Sequence, residues 1–358
     1  MIITILTFAF ILVILILIHE FGHFLAAKKN GVLVEEFGIG FPPRLFGKKI
    51  GETLYSINLL PLGGFVKLYG EEYHEEHKDT KASIPKHRAF VNKKPWQKAI
   101  IIVAGVVMNF LLGWLLITIL FIAGTPAPAG VGVAEVQTGS PAQAVGLREG
   151  DRLSRIQVNG ETIELRSTLD LINTTKEYAD KELKVVISRE GKESTVAITP
   201  RSNPPKGQGS LGIVISQIVE TKKYPWYQAP YYGLIQAVDM TKQIATELLK
   251  IPAQLISKQK TDVEFSGPIG IAKIVGEARE YGILALLEIT ALLSLNLAVI
   301  NILPFPALDG GRMVFVVYEW ITGKKPNEKL EQYLNLFGII TLLSLSALIT
   351  FMDIQKYF

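Results

Sequence analysis

The sequence predicts a polytopic α-helical membrane protein of four transmembrane helices, with an inserted β-rich domain and a cytoplasmic β-hairpin region. Three observations predict it. First, apolar runs of about 20 residues, the length that crosses a bilayer core, fall at 2–23, 99–122, 283–308 and 334–352. Second, residues 124–218 change to short alternating segments between turn signals, the pattern of strands. Third, the 358 residues are 49% hydrophobic and 20% charged. That is too apolar for an ordinary soluble enzyme and too charged for a bare helical bundle. The net charge of +4 comes with no basic cluster that would mark a nucleic-acid partner, so none is expected. The absence of cysteine excludes disulfides and thiolate-held metal, which leaves His, Asp and Glu as metal ligands.

The first span ends in His19-Glu20-Phe21-Gly22-His23, an H-E-x-x-H pattern. Residues four apart share a helix face, so His19 and His23 can hold one metal ion together, and Glu20 lies where it can polarise a water on that ion. Two helix-end histidines and a solvated glutamate are the plainer reading. Three ionisable side chains in five residues of an apolar run argue for function, because such groups are costly in a bilayer. No basic segment precedes the run and no small-residue cleavage site follows it, so a retained helix rather than a signal peptide is expected.

Residues 24–98 are polar, with Lys28, Lys29, Arg44, Lys48 and Lys49 toward one end and Lys86, Arg88, Lys93, Lys94 and Lys98 toward the other. The positive-inside rule places this loop in the cytoplasm and both chain ends outside. Within it, 50–70 reads as a β-hairpin, with Thr53–Ile57 alternating and Pro61-Leu62-Gly63-Gly64 turning into a second strand. This is either a surface hairpin or an edge strand that pairs with an extended substrate. His74 and His77 lie in a charged, solvated run. In the second span Asn109 is either interhelical glue or a functional group.

Beyond it, Pro126, Pro128 and Gly130 read as a linker. Strands follow at 131–136, 152–158, 183–188, 194–199 and 211–215, with short helices at 141–147 and 167–173 and a hairpin turn at Asn159-Gly160. Residues 219–282 read as a linker plus an amphipathic helix, 234–256, lying in the outer interface of the bilayer. The third span ends in Asn301-Ile302-Leu303-Pro304-Phe305-Pro306-Ala307-Leu308-Asp309-Gly310-Gly311, where two prolines break the helix. Asp309 is a turn residue or the third metal ligand. The shared inward direction of spans one and three brings it to the depth of His19 and His23, which favours the ligand. Residues 312–333 read as a cytoplasmic loop before the last span.

The region 124–218 resembles a PDZ domain in permuted strand order, on Ser140-Pro141-Ala142, Gly146-Leu147, Glu149-Gly150-Asp151 and Val158-Asn159-Gly160. That resemblance implies capture of a peptide ligand or a substrate ectodomain, with Leu211, Gly212 and Ile213 as the binding entry. Across nearly its whole length the chain resembles the site-2 protease family of zinc intramembrane metalloproteases, in the bacterial regulator of sigma-E protease (RseP-like) branch. The motifs that carry this are HEFGH at 19–23, PLGGFVK at 61–67, Ser266-Gly267-Pro268-Ile269-Gly270 and NILPFPALDGG at 301–311.

The resemblance implies Zn2+ on His19, His23 and Asp309 and Glu20 as general base. It also implies Asn301 on the substrate or its oxyanion, and the strand around Gly63 and Gly64 as a substrate clamp. It implies single-span membrane proteins as substrates, such as anti-sigma factors already shortened by another protease or remnant signal peptides, and the bacterial inner (plasma) membrane as location. Many relatives carry Gly-Pro before the second-span asparagine, where this chain has Gly105-Val106. A catalytically inactive span-binding homologue and a metal transporter are the competing classes.

Overall fold

The computed structural model describes residues 2–71, 85–205, 207–257 and 267–357. His74, His77 and Ser266 lie outside the described residues. The chain divides into two compact units, Met1–Ile122 with Pro225–Phe358, and Ala123–Tyr224.

The first unit begins with α1 (Ile2–Lys29), which stays helical through the H-E-x-x-H pattern and ends at Gly31, whose φ of 68° supplies the left-handed cap. Next come β1 (Val34–Ile50) and β2 (Thr53–Leu68). Val34–Ile39 lies between two partners: Val34 faces Leu68 and Ile39 faces Gly64 on one side, and Glu36 faces Leu54 and Ile39 faces Ile57 on the other. Arg44–Ile50 pairs with Asn58–Thr53. The ribbon is therefore wider than the expected hairpin at 50–70, because β1 pairs along its whole length. Its Gly64–Leu68 portion forms an outer edge. After two short 3-10 turns, α2 (Pro95–Ala123) starts with proline at its first position, where no N–H is needed.

In the second unit, β3 (Thr125–Val136), α3 (Pro141–Ala144), β4 (Arg152–Val158), β5 (Glu161–Glu164), α4 (Thr168–Glu177), β6 (Leu183–Arg189), β7 (Lys192–Ile198) and β8 (Ile213–Lys222) build one sheet of order β7-β6-β4-β3-β8, with β5 beside β4. The expected linker at Pro126–Gly130 is strand instead. Pro126 and Pro128 are tolerated because that stretch pairs with β8 alone, while β4 meets β3 only at Val131 and Gly132. β8 also runs past the expected limit of 218, because it follows β3 to Thr125. Val131, Leu153, Ile156, Leu183, Val185 and Leu211 form the core under Ala142 of α3 and Leu171 of α4. The turn before β4 is held by Asp151, which accepts from the Arg148 N–H and takes Nε and Nη2 of Arg189 at 2.6 and 2.7 Å.

The first unit resumes with α5 (Ala229–Ser257), α6 (Pro268–Tyr281), α7 (Ile283–Ile302), α8 (Asp309–Thr322) and α9 (Glu328–Tyr357). Three sequence expectations are corrected here. The stretch 257–282, which the sequence suggests is linker, contains α6, whose Val275 packs on Ile11 and Leu15 of α1. The third span stops at Ile302, not 308, because Leu303 is extended ahead of Pro304. The expected loop 312–333 is helical at both ends, in α8 up to Thr322 and in α9 from Glu328; α8 is too short and too polar to be read as a span, yet its Val316 enters the core with Phe24, Val34, Leu68 and Ile101. Among the described residues four helices, α1, α2, α7 and α9, are long and apolar enough to cross a membrane.

Candidate metal centre

The centre is assembled where the lower part of α1 meets α2, the ribbon edge and the break between α7 and α8. Phe24, Ala27, Val34, Leu68, Ile101, Ile102 and Val316 pack into one core beneath it, so all four elements share a rigid base. α1 and α2 approach closely at Gly22 and Gly105. A Cβ on Gly105 would run into the rings of His23 and His19, and one on Gly22 into the Ala104 carbonyl and Met108. Glycine at 105 is therefore what lets the two imidazoles lie against α2.

His19 and His23 are both buried, and their Nε2 atoms lie 3.1 Å apart. Asp309 Oδ2 lies 2.9 Å from His19 Nε2 and 3.3 Å from His23 Nε2. Asp309 opens α8, where the unpaired N–H groups of the helix start favour its negative charge. The segment 303–308 that delivers it is tightly fixed. Ala307 takes a left-handed φ of 74°, and its N–H donates to Asn335 Oδ1 at 2.9 Å. Glycine follows Asp309 twice because a Cβ at Gly310 or Gly311 would strike the carbonyls of Leu303 or Phe305.

The donor set fits a divalent cation. His23 Nδ1 lies 2.8 Å from the Ile101 carbonyl, which can only accept. Neutral His23 therefore carries its proton on Nδ1 and presents a bare Nε2. With neither imidazole protonated on Nε2, Asp309 Oδ2 is buried without a hydrogen-bond donor. The three ligand atoms lie 2.9, 3.1 and 3.3 Å apart, slightly closer than the about 3.3–3.6 Å that a zinc ion bound at about 2.0–2.2 Å would set between them. A cation bound between them would satisfy all three atoms at once. His19, His23 and Asp309 would supply three ligands, the usual protein share of a catalytic zinc site.

Glu20 does not join the three ligands. Its Oε2 accepts from the backbone N–H of Val66 at 3.1 Å. Two residues along the same edge, the N–H of Leu68 donates to Glu71 Oε2 at 3.2 Å, and Glu71 is ion-paired to Arg312 at 2.6 Å. Both carboxylates thus occupy outward donors of the ribbon edge. Gly63 and Gly64 sit one step earlier. Gly63 has φ 138° and lies against Ile16, and Gly64 is wedged between the Gly38 carbonyl and Leu17, so they set the strand against α1.

Asn301 stands near the end of α7 and lines a cavity of about 310 Å³ together with Ile16, His19, Glu20, Asn109 and Asp309. A second, more polar cavity of about 750 Å³ reaches Asp309 from the side of Val66, Glu71, Arg312, Glu331 and Asn335. In the sheet unit Leu211 is a core residue, Gly212 turns with φ 71° against Ser140, and Ile213 opens the edge strand β8.

Sequence reasoning placed His19, His23 and Asp309 as a set, and the fold brings them together. It missed the Ile101 carbonyl, Gly105, Glu71 and Asn335. Glu71 and Asn335 act through long-range contacts that leave no local pattern, whereas Gly105 and Asn109, four apart in an apolar span, carried a readable signal.

A buried His-His-Asp cluster at a broken membrane helix, with a glutamate beside it, defines a metallopeptidase-type centre. The chain belongs to Peptidase family M50, whose family model matches residues 7–345. With its four apolar helices it is a multi-pass membrane protein of that family. It is similar to the regulator of sigma-W protease RasP of Bacillus subtilis, at 31% identity over 99% of each chain. It is also similar to the zinc metalloprotease RasP of Geobacillus kaustophilus, at 30% over 99% of this chain and 98% of the relative. The putative zinc metalloprotease CPE1693 of Clostridium perfringens is 35% identical over 95% of each chain.

Proposed function

We propose that the chain is a zinc-dependent intramembrane endopeptidase that cuts the transmembrane segments of single-span membrane proteins. The observation that carries this is Glu20, which stands beside the His19–His23–Asp309 cluster and on the open edge of a β-strand at once. Bound by those three residues, zinc would supply Lewis-acid polarisation of water and of the scissile carbonyl.

The chain's own residues do the rest. Glu20 takes the proton from the attacking water on its carboxylate and returns it to the departing amine. A helical substrate hides its carbonyls in internal hydrogen bonds and must unwind to be cut. The Gly64–Leu68 edge offers replacement backbone bonds to the unwound strand, which would displace Glu20 and Glu71 from the Val66 and Leu68 donors. Asn301 lines the cavity next to Glu20 and is suited to donate to the carbonyl oxygen as charge develops there. The polar cavity along Glu71, Arg312 and Glu331 is suited to bring water to the centre.

In this reading the basic 24–98 loop lies in the cytoplasm, the centre lies near the cytoplasmic face of a bacterial plasma membrane, and the sheet unit is extracytoplasmic. The sheet unit is read as a PDZ domain. Its edge strand β8 begins at the Leu211-Gly212-Ile213 entry, a suitable place for a peptide or a trimmed ectodomain to dock. The substrate class proposed is an anti-sigma factor cut beforehand by another protease; one relative's name, a regulator of sigma-W protease, is in keeping with a role in sigma-factor control. The test is cleavage of a reconstituted single-span substrate before and after metal removal by a chelator, with zinc added back. Cleavage lost and restored supports the reading. Cleavage that survives complete metal removal overturns it.

A further inference from the structure

Both histidines of the centre lean on one stripe of α2. His23 Nδ1 meets the Ile101 carbonyl at 2.8 Å, and His19 Nδ1 meets the side-chain amide of Asn109 at 3.3 Å, with Gly105 midway between them. Ile101, Gly105 and Asn109 recur every fourth residue and so lie on one face. Asn109 is fully buried, its backbone carbonyl accepts from Ser294 Oγ at 2.7 Å, and its side-chain Oδ1 has no partner.

The chemistry of His19 decides which amide atom faces it. An imidazole that offers Nε2 to a cation keeps its proton on Nδ1 and needs an acceptor there. With the amide nitrogen turned toward it, both groups would present protons to each other. The oxygen and nitrogen of an amide occupy nearly equivalent positions, so a half-turn exchanges them. We infer that Asn109 is a positioning residue of the metal centre, accepting the His19 Nδ1–H through Oδ1 as the Ile101 carbonyl accepts that of His23. α2 then fixes the tautomer and ring plane of both histidines, one through its backbone and one through a side chain, while contributing no ligand itself. This rests on the metal-centre reading given above.

The experiment measures metal affinity by chelator competition on the full chain in detergent, for wild type, Asn109→Asp and Asn109→Leu. The visible spectrum of the Co2+-loaded proteins is recorded alongside. Aspartate can only accept, so Asn109→Asp is expected to keep wild-type affinity and spectrum. Asn109→Leu is expected to lose about 10–100-fold in affinity, the usual effect of removing such a partner, and to shift the Co2+ bands. A Leu variant that holds metal as tightly as wild type overturns the inference. So does an Asp variant that loses as much as Leu, since the amide would then be acting as a donor. Wild type that holds no ion at all overturns the metal-centre reading itself, and the inference with it.

Discussion

The backbone N–H of Val66 donates to the Glu20 carboxylate at 3.1 Å, which ties the outer edge of the ribbon to the side chain placed to move protons. Val66 faces Phe37 across the ladder, and its N–H points away from that partner. An edge N–H of this kind can be deleted by proline without breaking the ladder. Val66→Pro removes the donor that holds Glu20 here and that an added substrate strand would use, so it is expected to keep fold and metal while lowering cleavage about 10-fold, the worth of one backbone hydrogen bond. Equal turnover by the variant and wild type, measured on a single-span substrate, would show that this contact is incidental.

Gly105 separates α2 from the two imidazoles by nothing more than a hydrogen, since a Cβ there would meet both rings. Gly105→Ala should push His19 and His23 off their Nδ1 partners and weaken metal retention about 10–100-fold. Chelator competition reads this directly. Retention at the wild-type level would mean that the rings have room the packing does not show.

Lys98 is buried on α2 and pairs with Glu319 of α8 at 2.8 Å. Removing one member of a buried pair strands the other charge, at a cost of about 3–5 kcal/mol. Lys98→Met should destabilise the protein by that order, and the double variant Lys98→Met/Glu319→Leu should recover most of it. A double-mutant unfolding cycle in detergent decides the matter. If the double variant is as unstable as the single one, the loss is one of packing rather than of charge.

In the sheet unit the Arg189 guanidinium holds the Asp151 carboxyl below the usual carboxylate range, against the opposing effect of burial. A carboxyl depressed in the folded state binds protons more weakly there than when unfolded. The stability it contributes is thus complete above about pH 4, the unfolded value, and drains away as pH falls through the lower folded value. The protection of the β4 and β6 amides, their exchange corrected for the intrinsic rate at each pH, should fall across that acid window in wild type. Asp151→Asn should exchange faster at neutral pH but lose this part of the acid dependence. A variant that keeps the full acid dependence would move the effect to another group.

How much of this was legible before the fold was known differs from residue to residue. His19, Glu20 and His23 are a local pattern in a continuous helix, and Asp309 stands at a helix break marked by two prolines, so both halves of the centre could be read separately. The four long apolar helices could be read for the same reason, since length and hydropathy are local properties. α8 and α6 could not, because each is short and amphipathic and is helical by virtue of what it packs against, Val316 on the core below the centre and Val275 on Ile11 and Leu15. Pro126 and Pro128 misled, since proline signals a linker unless the strand has only one neighbour at that point, and that is a property of the whole sheet. From the sequence Asn109 fits two roles, and only its place against His19 distinguishes them.

The most direct test of the central claim is cleavage of a single-span substrate by detergent-purified protein, wild type against Glu20→Gln, with zinc assayed in both. The account predicts about one zinc retained by each, as one three-ligand site requires, with cleavage by wild type and a loss of about 10²–10⁴-fold in the variant. Equal cleavage by the two proteins at equal zinc content would contradict the assignment of Glu20 as the base, and with it the mechanism built on the centre.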